Sequence, residues 1–76
     1  DTVDLARAMY LSELARDFAD EHLKKGGNFL IKLFHGVGFD DYIKELRPRY
    51  QKLTIRKPAA SRRRSNEVYA LATGKR

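Results

Sequence analysis

Few residues in this 76-residue chain are equipped for chemistry, and most of them lie in its second half. Lys32 sits in the run "FLIKLF", flanked by apolar side chains on both sides. Glu67 opens the run "EVYALATG". Arg56, Lys57, Arg62, Arg63 and Arg64 form a basic group between the two. A lysine in an apolar strand either carries its ammonium out to water on its flexible stem or is held for a purpose. As an ammonium it grips phosphates, and as a neutral amine it accepts a proton. His22 and His35 are the only histidines and cysteine is absent, so the chain lacks the ligand set of a zinc site and forms no disulfide.

The charge is uneven. The formal net charge is +6, with −1 on residues 1–38 and +7 on residues 39–76. Such asymmetry points the second half toward a polyanion, with nucleic acid first and an anionic surface second. No apolar run approaches the 18 or so residues of a membrane span. The N-terminal "DTVDLARAMY" lacks the basic and apolar regions of a secretory signal. Absence of cysteine suits the reducing cytoplasm.

The elements that must position these groups follow from periodicity. "DLARAMYLSELARDFADEHLKK" predicts a helix over Asp4–Lys25, with Leu11, Leu14, Ala15, Phe18, Ala19, His22 and Leu23 as its core stripe and Gly26-Gly27 ending it. "NFLIKLF" predicts a strand over Asn28–Phe34, apolar enough to be covered on both faces. "FDDYIKELRPRY" predicts a helix with Asp40 and Asp41 at its positive end, stopping near Pro48. "YQKLTIRKP" alternates like an edge strand: Leu53 and Ile55 point one way, Lys52, Thr54 and Arg56 the other. Glu67–Gly74 predicts a last, more apolar strand after a basic loop.

The order is α-β-α-β-β. The strand–helix–strand crossover implies two strands running the same way. The final strand, being the more apolar of the last two, is placed antiparallel between them. That placement brings Lys32, late in its strand, and Glu67, first in the neighbouring one, to the same rim of the sheet. Ligands of open α/β sheets bind at that rim. Tyr69, two residues on, shares the face of Glu67.

Several segments resemble the C-terminal part of the FtsJ-like 2′-O-ribose methyltransferases: "RAMYLSELA", "GGNFLIKLFHGVGFDDY" and "IRKPAASRRRSNEVYALATG". The resemblance covers nearly the whole chain. It implies a Rossmann-like class I methyltransferase fold, of which residues 1–76 are a partial domain and whose last strand is inserted antiparallel. It implies S-adenosylmethionine as methyl donor, a uridine ribose of bacterial large-subunit ribosomal RNA as acceptor, and no metal. The family's catalytic set is Lys-Asp-Lys-Glu, and the resemblance assigns its third and fourth members to Lys32 and Glu67.

The other two members, the Gly-rich cofactor loop and an Asp-x-Ala-Pro-Asn motif lie upstream of the resembling segment, so no cofactor-binding residue is expected in this chain. The chain alone is expected to be inactive. Arg56, Lys57 and Arg62–Arg64 are expected to hold RNA phosphates, and Tyr69 either stacks on a base or packs in the core. His35, where the family often has Gln, and Pro48, which should shorten the second helix, depart from the pattern. The strand edge at residues 28–34 is expected to be open and to promote self-association. A basic RNA-binding module without chemistry and a structural interaction domain are the competing readings.

Overall fold

The structure, a computed structural model, describes residues 2–59 and 66–76. Its elements are helix α1 (Thr2–His22), strand β1 (Phe29–Phe34), helix α2 (Phe39–Leu46), a 3-10 turn (Arg47–Arg49), strand β2 (Tyr50–Arg56) and strand β3 (Glu67–Lys75). The sheet order is β1-β3-β2, and both outer strands run antiparallel to β3. The expected α-β-α-β-β order and the central antiparallel last strand are both present.

β3 takes the middle because its inward residues are small. Val68, Ala70 and Ala72 are buried and let the helices approach closely. Leu33 of β1 and Phe39, Tyr42 and Leu46 of α2 close over them, with Tyr50. α2 starts behind Gly38, whose φ of +91° is a left-handed value that favours glycine. It ends at Leu46, and Pro48 lies in the 3-10 turn that follows, so the second helix is shortened as expected.

α1 departs from its sequence reading in two ways. It ends at His22 rather than Lys25, with the N–H of Leu23 donating to the Ala19 carbonyl at 2.9 Å and Gly26 at a φ of +85°. Its expected core stripe also largely faces outward: Leu11 is 62% and Phe18 66% exposed, and Leu14 is exposed too. Of that stripe Ala19 is buried as expected, and the other buried residues of the helix are Ser12 and Arg16, which lie outside it. The reason lies in α2. The Tyr42 hydroxyl donates to the Ser12 carbonyl at 2.7 Å, the Arg16 guanidinium lies 5.1 Å from the Tyr42 ring centre, and Arg16 pairs with Glu45 at 3.1 Å. Polar groups with such partners can be buried at little cost. Burial pushes the Tyr42 phenol up to about 12, an effect that the Arg16 charge opposes.

β1 was expected to be covered on both faces. Leu33 is buried, but Leu30 is 62% exposed on the other face, and the strand lies at the edge of the sheet. Among the described residues no strand pairs with that edge.

Candidate active site

The register fixes the arrangement. Lys32 pairs with Tyr69, and Phe34 with Glu67. Arg56 pairs with Tyr69 from the other side. Directly opposed residues share a face, and alternate residues along a strand return to it. Lys32, Tyr69 and Arg56 therefore form one row across the three strands, and Glu67 stands on the same face one rung along. Lys32 and Glu67 are diagonal neighbours at the same end of the sheet. Diagonal pairs stand about 7–8 Å apart, within reach of a lysine side chain. The Lys32 ammonium lies 5.9 Å from the ring centre of Phe34, the residue paired with Glu67.

Secondary structure sets this geometry. Val68, Ala70 and Ala72 must face the helices, so Glu67, Tyr69 and Leu71 turn to the opposite side. Leu33 pins β1 in the same way and leaves Lys32 exposed beside Tyr69. The pairing continues past the strand ends, where the His35 N–H donates to the Asn66 carbonyl at 3.0 Å. The His35 ring itself lies 4.4 Å from that of Phe39.

The expected RNA-binding residues divide. Arg56 is exposed in the Lys32 row. Tyr69 is 37% exposed on that face, so it is not a core residue. The Lys57 ammonium donates to the Glu67 carbonyl at 3.1 Å and so ties the base of the β2–β3 connection. Arg62, Arg63 and Arg64 lie outside the described residues.

A cleft of about 510 Å³ opens between the first half of α1 and the segment after β1. Its walls include Leu5, Met9, Leu33, Phe34 and Val37, with Glu13 as its one carboxylate. Among the described residues no group of three His, Cys, Asp or Glu is placed to hold a metal ion, and no helix is long and apolar enough to cross a membrane.

A crossover between two like-directed strands, with an antiparallel strand inserted between them, is the pattern expected for the tail of a class I methyltransferase sheet. The family model described as FtsJ-like methyltransferase matches residues 1–75. The chain belongs to the FtsJ-like methyltransferase family. It is 72% identical, over all of its length, to "Ribosomal RNA large subunit methyltransferase E" of Xanthomonas oryzae pv. oryzae strain PXO99A. To the protein of the same name in Xanthomonas campestris pv. campestris strain B100 it is 71% identical, again over its full length. The chain spans 36% of the length of these relatives.

Proposed function

We propose that this chain is the C-terminal part of an S-adenosylmethionine-dependent methyltransferase acting on the 2′-oxygen of a uridine ribose in large-subunit ribosomal RNA. Lys32 is its general base and Glu67 the group that positions it. The observation that carries this reading is the placement of Lys32 and Glu67 on one face, one rung apart, at one end of the sheet. A hydroxyl oxygen becomes an effective nucleophile only as its proton leaves, so a base within hydrogen-bond reach is required. An ammonium cannot serve; the neutral amine can. Loss of surrounding water and a nearby cation favour the neutral amine, whereas a carboxylate favours the ammonium. Glu67 therefore orients Lys32 rather than activating it. Activation comes from the closed site of the full-length protein.

The cofactor is assigned to residues outside this chain, and the chain alone is inactive. Arg56 and the Arg62–Arg64 segment hold phosphates, and Tyr69, flanked by Lys32 and Arg56, offers a ring to a base. A protein with this substrate works in the cytoplasm. Isolated from its remaining domain, the chain self-associates through the β1 edge.

The test is methyl transfer to large-subunit ribosomal RNA by the full-length protein carrying Lys32→Met. General-base catalysis contributes about 10²–10⁴ in rate, so a loss of that size is expected with RNA binding retained. A rate within fivefold of the parent would overturn the assignment of Lys32 as the base.

A further inference from the structure

The end of the sheet remote from Glu67 is also basic, and for a separate structural reason. Three segments converge there through backbone hydrogen bonds. The Gly26 N–H donates to the Lys75 carbonyl at 2.8 Å, and the Lys75 N–H to the Gly27 carbonyl at 2.9 Å. The Arg76 N–H donates to the Arg49 carbonyl at 2.9 Å, and the Arg76 Nε to the Tyr50 carbonyl at 3.2 Å. The turn after α1 and the turn before β2 are thereby fastened to the two sides of β3's end. Lys24, Lys25, Arg47 and Arg76 are all exposed on them.

Nearby carboxylates do not neutralise this end. Asp17 is engaged by Arg16 at 3.2 Å and Arg49 at 3.4 Å, and these partners lower its pKa, the Arg16 hydrogen bond most. Asp20 faces Lys75 at 3.7 Å, and Glu21 faces His22 at 3.6 Å. Among the described residues none of Lys24, Lys25, Arg47 and Arg76 is in an ion pair. Along β3, eight steps of about 3.3 Å separate Lys75 from Glu67, roughly 26 Å. That is too far for the same nucleotide to reach both ends.

We propose that this end is a second phosphate-binding surface, which holds the backbone of the substrate RNA away from the modified nucleotide. The partner follows from the function proposed above: exposed, unpaired cations on hydrogen-bonded turns suit a backbone of regularly spaced phosphates, and they carry no sequence information. Phosphates gripped here position the RNA so that a distant ribose meets Lys32.

The experiment uses the full-length protein with Lys24→Gln, Lys25→Gln and Arg47→Gln combined. Arg76 is left intact because its guanidinium bonds the Tyr50 carbonyl. Binding of a long large-subunit RNA fragment is measured across potassium chloride concentrations, with a thermal melt to confirm folding. Each phosphate contact contributes about 0.9 to the slope of log K against log salt, so loss of three should flatten it by about 2–3. Affinity near 0.1 M salt should fall by at least about tenfold. A short RNA confined to the modified region should bind both proteins alike.

An unchanged slope with the long RNA overturns the proposal. So does a result in which the variant loses binding only to phosphatidylglycerol vesicles, which would assign the surface to lipid. If the variant misfolds, Lys25→Glu alone decides, with the same slope read for a shift of about one or more. Because the readout is binding, it stands or falls apart from the chemistry assigned to Lys32.

Discussion

Tyr42→Phe tests the tie between α2 and α1 over the core. The Tyr42 side chain is 2% exposed, and its hydroxyl donates to the Ser12 carbonyl at 2.7 Å. At pH 7 the substitution removes one buried hydrogen bond, a loss of about 0.5–1.5 kcal/mol. Alkaline pH reads the same contact more selectively. An unfolded tyrosine loses its proton near pH 10, whereas burial pushes Tyr42 up to about 12 in the fold. Between these values the folded state holds a proton that the unfolded state has released, so stability falls as pH rises. The contribution is fully present below pH 10 and is lost by about pH 12. A rise from about 10 to about 12 corresponds to roughly 2–3 kcal/mol. The assay is urea unfolding of the full-length protein and its Tyr42→Phe variant at intervals from pH 8 to 12, followed by circular dichroism. The parent should lose roughly 2 kcal/mol more than the variant across that window. Parallel curves for the two proteins would refute the account of Tyr42 as a buried donor.

Gly38→Ala should cost about 1–2 kcal/mol through backbone strain at a φ of +91° rather than through a clash, because the nearest atom of Met9 lies 3.5 Å from the added carbon; thermal melting checks it, and no loss would contradict the left-handed turn. The isolated chain should self-associate through β1, and Leu30→Pro should weaken this by removing a donor from the open edge, because the His35–Asn66 bond sets the N–H of Ile31 toward β3 and that of Leu30 away from it; sedimentation showing a monomer at high concentration would count against the open edge. Arg56→Glu in the full-length protein should flatten the salt dependence of RNA binding by about one, and an unchanged slope would remove Arg56 from the RNA surface.

Much of the sheet was legible from the composition and order of its strands. The more apolar composition of Glu67–Gly74 placed β3 centrally, and the resulting topology brought Lys32 and Glu67 to one rim, while their shared face came only with the register. The face of α1 was not legible. Periodicity identifies side chains that gain from burial, here Leu11, Leu14 and Phe18, without saying what covers them. The described fold buries Ser12 and Arg16 instead, because Tyr42 and Glu45, some thirty residues away, supply their partners. The end of β3 was also hidden. Lys75 pairs with buried Tyr50 and reaches Asp20 of α1, although simple alternation from Thr73 would turn it to the other face. Gly74, at a φ of +74°, makes that reversal possible. That Lys32 and Glu67 lie at one end of the sheet was readable from topology; the row that sets Tyr69 between Lys32 and Arg56 required the register.

The decisive measurement is a double-mutant cycle on methyl transfer by the full-length protein, with Lys32→Arg, Glu67→Gln and both together. If Glu67 acts by positioning Lys32, its loss matters little once Lys32 is gone, and the double variant should be within about threefold of Lys32→Arg alone. Losses that multiply, or a Lys32→Arg protein that keeps most of its rate, would contradict the claim that these two side chains work as a unit.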